Sequence, residues 1–132
     1  MAVISGCVTH VPRPDQIEAT PPERVHAFQD HVPGGGEVVI TRDAGFAGGG
    51  CYAAIFIDGE QVAEMGTSER AIFHLPAGEY IFGVWNTGKG LCGYRAGEDR
   101  RETSVRIDSG ESKKFRIIIN PNSGVSLEPT TL

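Results

Sequence analysis

The residues Ile4-Ser5-Gly6-Cys7 combine types that suit the acylation of a cysteine thiol. An apolar residue followed by two small ones lets a diacylglyceryl group be placed on Cys7, and a peptidase with a narrow site can then cut just before it. Residues 1–6 are therefore predicted to be the remnant of a signal peptide, which in its complete form has a basic start and roughly 7–15 apolar residues. The alternative is an ordinary first strand with a buried free cysteine, a residue type that is often buried.

Cys51 and Cys92 are the second chemical feature, because an oxidising compartment would join them. Both lie beside glycine-rich stretches where two parts of the chain could meet. A disulfide between them would close a loop of about 40 residues and contribute roughly 4 kcal/mol in the chain-entropy model. The alternative is a pair of unbridged core thiols in a cytosolic protein. We predict the Cys51–Cys92 disulfide.

Other residues that could perform catalysis or bind a metal lack a supporting pattern. The histidines do not have the spacing of a zinc site, and no serine lies in a Gly-x-Ser-x-Gly turn. Cys92 with His74 as its base would be a cysteine nucleophile, but a cysteine with a bonding partner is expected to be oxidised. A glycosidase-like pair of carboxylates stays open, since spacing in the sequence does not give their separation in space. Its candidate members are Glu79, Glu98, Asp99 and Glu102. We predict no enzyme activity, no metal and no cofactor.

The composition is that of one folded domain. The chain has 132 residues, 39% of them hydrophobic and 22% charged, with a formal net charge of −5, which is enough for one hydrophobic core. The charges form no long acidic or basic block, so nucleic acid is not an expected partner. No later stretch is long and apolar enough to span a bilayer, so a lipid on Cys7 is the expected membrane attachment.

The pattern along the chain predicts a tether, a short helix and a β domain. Residues 7–20 are rich in proline, threonine and charge and are predicted to be a lipidated tether, which leaves residues 21–132 as the domain. Thr20-Pro21-Pro22-Glu23 has the order of a capping box with proline at the first helical position, so a short helix should follow. From residue 37 on, apolar and polar residues alternate. This predicts eight strands: 37–42, 51–58, 61–64, 70–75, 79–85, 103–107, 112–119 and 125–127.

Turn signals between these strands predict their arrangement. Asp58-Gly59, Pro76-Ala77-Gly78 and Ser109-Gly110 favour tight turns, so hairpin should follow hairpin and the sheets should be antiparallel. We predict an all-β, two-sheet sandwich of seven or eight strands, with a small closed barrel as the alternative. Alternation along the last two long strands predicts which side chains point into the core and which face water. The inward residues are Val105, Ile107, Phe115, Ile117 and Ile119, and the outward residues are Lys114 and Arg116.

Two connections are long for such a domain, residues 43–50 and residues 86–102. Both are glycine-rich, and the second is densely charged. Loops carried on a rigid sandwich are a usual place for recognition. The candidate partner-binding residues are therefore expected in the second loop: Tyr94, Arg95, Arg100 and Arg101. The alternative is a pair of plain connections joined by the disulfide. Trp85, which ends an apolar strand, is predicted to be a core residue.

Residues 56–62 and 75–80 carry the sequences Phe-Ile-Asp-Gly-Glu-Gln-Val and Leu-Pro-Ala-Gly-Glu-Tyr. Together they resemble a small β-sandwich module found in an uncharacterised family of bacterial envelope lipoproteins, and they are similar to the surface repeats called PEGA domains. The resemblance covers residues 37–85. It implies an immunoglobulin-like or prealbumin-like fold and a role in the cell envelope, and it supplies no catalytic residues.

These features predict a bacterial envelope lipoprotein that is anchored through Cys7 and faces the periplasm. Its expected role is that of a non-enzymatic interaction or structural module, with an envelope protein or peptidoglycan as its partner. The alternative is a small ligand-binding protein or an inhibitor of a cell-wall hydrolase. The residue after Cys7 is Val8 and not an aspartate, and an aspartate at this position resembles the signal for inner-membrane retention in enteric bacteria. The outer membrane is therefore the expected location.

Overall fold

Alternating apolar and polar residues give this chain two β-sheets that pack face to face. The computed structural model describes residues 9–45, 51–86, 100–120 and 124–132. These ranges contain nine strands, whereas seven or eight were predicted; the additional one is the two-residue β1. The strands are β1 (Glu18–Ala19), β2 (Gly36–Arg42), β3 (Ala53–Ile57), β4 (Glu60–Met65), β5 (Glu69–Leu75), β6 (Gly78–Asn86), β7 (Arg101–Ile107), β8 (Ser112–Asn120) and β9 (Gly124–Pro129).

The five-stranded sheet has the order β1-β5-β2-β8-β9 and contains both parallel and antiparallel pairs. β2 runs parallel to β8, with Ile40 opposite Phe115, and β1 runs parallel to β5. The prediction of purely antiparallel sheets is therefore wrong. The reason is that the turn at Ser109-Gly110 carries the chain from one sheet to the other instead of folding β8 back on β7. β8 consequently joins β2 in the same direction.

The four-stranded sheet, in the order β4-β3-β6-β7, is antiparallel throughout. Asp58-Gly59 joins β3 to β4 as predicted, with positive φ angles of 51° and 84° at its two residues, as the favoured two-residue hairpin turn requires. The Asp58 carboxylate also accepts the N–H of Ile81 at 2.8 Å. Neither sheet closes on itself within the described ranges, so the alternative of a closed barrel is wrong.

The predicted helix after Thr20 is wrong as well. The chain forms a three-residue 3-10 turn there, Pro22–Arg24, and the Thr20 hydroxyl donates to the carbonyl of Arg70 at 3.2 Å instead of capping a helix. Val25 then pairs with Ala63 on β4. Pairing with a sheet edge has therefore overridden the local helix signal, as tertiary contacts often do.

Residues 9–20, which fall in the predicted tether, are bonded to the five-stranded sheet at both of their ends. The Thr9 N–H donates to the carbonyl of Ile119 at 3.2 Å, and His10 pairs with Ala44. At the other end, β1 pairs with β5. Because residues 9–20 pass from β8 to β5 across one end of this sheet, we call them the crossing segment. The packed domain thus includes residues before position 21.

The core lies between the two sheets. The residues predicted to point inward are 9% exposed or less: Val105, Ile107, Phe115, Ile117 and Ile119. Lys114 is exposed, as predicted. Trp85, predicted as a core residue, is only half-buried, because its neighbour Val84 takes the inward position. The Trp85 ring packs on Phe56, with 6.1 Å between the ring centres.

The two ends of the sandwich differ in their connections. At one end, Ala53 at the start of β3 pairs with Asn86 at the end of β6, so the connections that follow β2 and β6 both leave the sandwich there. We call this the loop end. The opposite end, the turn end, carries the tight turns that join β3 to β4, β5 to β6 and β7 to β8. The connections predicted as contact surface, residues 43–50 and 86–102, therefore join strands at the same end.

Candidate functional site

The loop end is built around the buried carboxylate of Asp43. Asp43 directly follows β2, and its side chain is 0% exposed. Arg116 on β8 donates to both carboxylate oxygens, from Nε at 2.9 Å and from Nη2 at 2.7 Å, and the Thr9 hydroxyl donates at 2.9 Å. Thr9 Oγ1 in turn accepts the N–H of Ile119 at 2.9 Å. One side chain thus fixes β2, β8 and the crossing segment to one another.

Arg116 was predicted to face water, and this prediction is wrong for its charged group. The Arg116 side chain is 23% exposed, since its guanidinium turns towards Asp43. The hydrogen bond to Asp43 raises the pKa of Arg116, although burial acts in the opposite direction. Charge-assisted bidentate pairs of this kind are among the strongest hydrogen bonds in proteins.

Arg42, the last residue of β2, is 1% exposed. Its Nη1 donates to the carbonyl oxygens of Cys51 at 2.5 Å and of Met65 at 2.7 Å. Burial lowers the pKa of Arg42 to about 10, and the charges of Glu69 and Asp43 oppose that shift. Arg42 therefore connects the end of β2 to the chain entering β3 and to the end of β4, which belong to the other sheet.

A second ion pair, between Arg24 and Glu69, lies at the same end. Arg24 donates to the two Glu69 oxygens at 2.9 and 2.7 Å, and the Gly66 N–H donates to Glu69 at 2.7 Å. Burial alone would raise the pKa of Glu69, but the hydrogen bonds from Arg24 and Gly66 outweigh it, so the pKa lies below its usual value. The hydrogen bond to Glu69 raises the pKa of Arg24. This pair fixes the short connection between β4 and β5.

Two arginines lie over aromatic rings near this end. The Arg24 guanidinium is 4.3 Å from the centre of the Tyr52 ring, and Tyr52 remains 44% exposed. Arg100, just before β7, lies 4.4 Å from the centre of the Phe56 ring. Tyrosine and arginine are residue types that are enriched in protein interfaces. Tyr52 is therefore an exposed ring that an ion-paired arginine holds in place.

The ion pairs of the loop end hold the strands and the chain around them in position. Asp43 and Glu69 each accept a bidentate arginine. Among the residues that the structure describes, no group of three or more histidine, cysteine or acidic side chains is arranged to hold a metal ion. The backbones of Glu79 and Glu102 are four positions apart on paired strands, about 13 Å, and Glu98 and Asp99 lie outside the described residues.

The turn end carries a shallow cleft of about 230 Å³. It is lined by the His31 and His74 rings, whose centres are 6.2 Å apart, and by Glu37 and Glu111. The Ser112 hydroxyl donates to Glu37 at 2.8 Å. Neither histidine takes part in the ion-pair network of the loop end.

Only part of the predicted site can be located. Cys7, Cys92, Tyr94 and Arg95 lie outside the described residues, so lipidation, the Cys51–Cys92 pairing and the role of the last two stay predictions. Cys51 is 8% exposed, and its carbonyl oxygen accepts a hydrogen bond from Arg42. Arg100 and Arg101 lie at the start of β7, and both are exposed.

The ion pairs of the loop end were missed at the sequence level. The available signal was Arg42-Asp43, two charged residues directly after the apolar run Val38-Val39-Ile40. Charges so close to a buried strand indicate paired groups, since an unpaired buried charge is costly. Their partners, Arg116 and Glu69, are distant in sequence and gave no comparable signal.

No protein-family model matches the chain, and no curated protein matches it either. Within the described part of the chain, no helix has the length and hydropathy needed to cross a membrane.

Proposed function

We propose that this protein is a non-enzymatic interaction or structural module of the bacterial cell envelope, attached to the membrane by a lipid on Cys7 and facing the periplasm. The loop end is its contact surface, and a Cys51–Cys92 disulfide joins the two long connections. The resemblance of residues 37–85 to an envelope lipoprotein family supports the location, and with it an immunoglobulin-like or prealbumin-like form of the sandwich.

The observation that carries this proposal is that the strand ends joined by the two long connections lie at the same end of the sandwich, above a network of buried ion pairs. Asp43 and Arg42 are buried at the base of residues 43–50, and the Arg24–Glu69 pair fixes the chain beside Tyr52. Binding is favoured when the contacting residues are held in place beforehand, because less conformational entropy is then lost. Because buried ion pairs hold one end of the sandwich in a fixed conformation, that end is suited to recognition.

The alternative is a small ligand-binding or hydrolase-inhibiting envelope protein. The observation that favours it is Tyr52, because a fixed and exposed aromatic ring can stack on a ligand. Retention of the protein on purified peptidoglycan or on lysozyme would support this alternative. Specific capture of envelope proteins would support the first proposal.

The contact surface is tested with a matched pair of substitutions. Tyr52→Ser changes an exposed ring at the loop end, and Ile81→Ser removes an apolar side chain of similar exposure, 42% against 44%, on the outer side of β6. Both immobilised variants are incubated with envelope extract and compared with the unchanged protein. We expect Tyr52→Ser to lose the retained proteins and Ile81→Ser to keep them. Equal retention by both variants would contradict a contact surface at Tyr52.

The anchor and the disulfide have separate tests. Cys7→Ser should move the protein from the membrane fraction to the periplasmic fraction, and unchanged fractionation would contradict the anchor. Mass spectrometry without reductant should find Cys51 and Cys92 in one bridged peptide pair. Two alkylatable thiols in the native protein would refute that pairing.

A further inference from the structure

We propose that the loop end faces the bilayer and contacts phospholipid headgroups, because the residue bonded into that end lies only two positions after the lipidated cysteine. This inference rests on the lipid anchor proposed above, and it concerns the orientation of the loop end relative to the bilayer. It replaces the picture of a domain held away from the membrane by residues 7–20.

The first step is the fixed position of Thr9. Thr9 is 7% exposed and makes hydrogen bonds through its N–H to Ile119 and through its hydroxyl to Asp43. His10 exchanges two backbone hydrogen bonds with Ala44, at 2.9 and 2.8 Å. Thr9 and His10 are therefore held against the ends of β8 and β2.

The second step is the length of chain between Thr9 and the lipid. Thr9 follows Cys7 by two positions, and an extended chain spans at most about 3.6 Å per residue. A lipid on Cys7 would thus hold the loop end within about 7 Å of its own attachment point. The turn end lies farther away by the length of the strands, about 25 Å for the nine residues of β6.

The third step is the chemistry of the exposed residues near Thr9. Among the described residues of the loop end, Tyr52 and Val11 expose large apolar side chains, at 44% and 39%, and Arg24 lies over the Tyr52 ring. Tyrosine and arginine combine an apolar body with a polar tip, which suits the interface between headgroups and water. Because Arg24 is already paired with Glu69, contact of Tyr52 with headgroups would leave the charge of Arg24 compensated.

The test uses the single tryptophan of the chain as a fluorescence donor. Cys7 of the oxidised full chain is coupled to a maleimide lipid in phosphatidylcholine vesicles that also contain a dansyl lipid, and peptide mapping verifies the coupled position. Trp85 reports from the loop end. In a second protein, Trp85→Phe combined with Ser109→Trp moves the donor to the turn end. If Cys92 also couples, Cys92→Ser is added to both proteins.

We expect energy transfer to the dansyl lipid to be at least about threefold greater from the loop end, because the donors are separated by about 25 Å along the strands. Inserting about ten glycine and serine residues between Val8 and Thr9 should bring the two values together. Equal transfer without the insertion would overturn the proposal. A difference that the insertion does not change would also overturn it, because the short connection would then not set the orientation.

This experiment does not depend on cellular lipidation, since the lipid is attached chemically. A failure of the anchor itself appears instead as unchanged fractionation of Cys7→Ser in cells. The two failures are therefore distinguishable.

Discussion

Asp43 joins three parts of the loop end through one buried side chain. Its buried carboxylate accepts three hydrogen bonds, two from Arg116 and one from Thr9. Removing one partner of a buried ion pair leaves the other charge uncompensated, which is more damaging than replacing both partners by apolar groups. The stability of the loop end should therefore be far more sensitive to Asp43 than to exposed acidic residues.

We expect Asp43→Asn to lower the free energy of unfolding by about 3 kcal/mol, because it leaves Arg116 and Arg42 with less compensating charge in a buried site. Urea denaturation measures this change. Asp108→Asn is the control, since Asp108 pairs with Arg106 at 3.4 Å between side chains that are more than 60% exposed, and exposed pairs contribute little. Similar midpoints for the two variants would show that the burial of Asp43 has no energetic consequence.

Glu69 should make the stability depend on pH in the acid range. Its pKa is lowered in the folded protein, so the stability it contributes is present above the unfolded value of about 4.5 and is lost as the pH falls through the folded pKa. The difference in unfolding free energy between the native chain and Glu69→Gln should therefore be largest above about pH 5 and shrink towards pH 2. A difference that stays constant over this range would mean that the Arg24–Glu69 pair contributes no linked protonation.

At the scale of the strands, the sequence predicted which segments form strands better than it predicted how those strands are connected and paired. The eight predicted strands are all present, because each buries apolar residues on at least one face. The sequence did not predict that the turn at Ser109-Gly110 leads from one sheet to the other. A tight turn has the same residue types whether it closes a hairpin or joins two sheets. β1 was missed because Glu18 and Ala19 show no apolar alternation and pair only through their backbones.

Gly36 marks the point where β2 passes closest to the turn between β7 and β8. A Cβ at Gly36 would lie 2.6 Å from the carbonyl oxygen of Glu111 and 2.7 Å from a methyl group of Ile107. We expect Gly36→Ala to destabilise the protein by about 3 kcal/mol, because the contacted oxygen belongs to the backbone and cannot move aside. Thermal unfolding measures this effect.

The matched control for Gly36→Ala is Gly34→Ala. Gly34 has a φ of +78° but no atom within 4 Å of the added Cβ, so the substitution should cost only about 1 kcal/mol of backbone strain. If the order of the two variants were reversed, close packing at the start of β2 would not be the reason for glycine at position 36.

At the scale of the whole molecule, the two long connections could be predicted because glycine-rich and charged stretches between strands are visible in the sequence. The strand ends that they join lie at the same end of the sandwich, and their role in binding stays a prediction. The ion pairs beneath them were not expected, since Arg24, Glu69 and Arg116 come from three separated parts of the chain. Residues 7–20 were predicted to be a tether because Pro14 and the charged residues around it are typical of linkers, whereas Thr9 and Thr20 are buried.

The crossing segment gives the last prediction, because a tether and a packed segment respond differently to removal. A chain that begins at Thr9 should unfold at nearly the same urea concentration as the full chain. A chain that begins at residue 21 loses the Thr9 hydrogen bonds to Asp43 and Ile119 and the pairing of β1 with β5. Since each lost hydrogen bond to a buried group costs about 1–3 kcal/mol, we expect the shorter chain to be less stable by at least about 2 kcal/mol. Equal stability of both chains would restore the tether and remove the short connection on which the membrane-facing orientation depends.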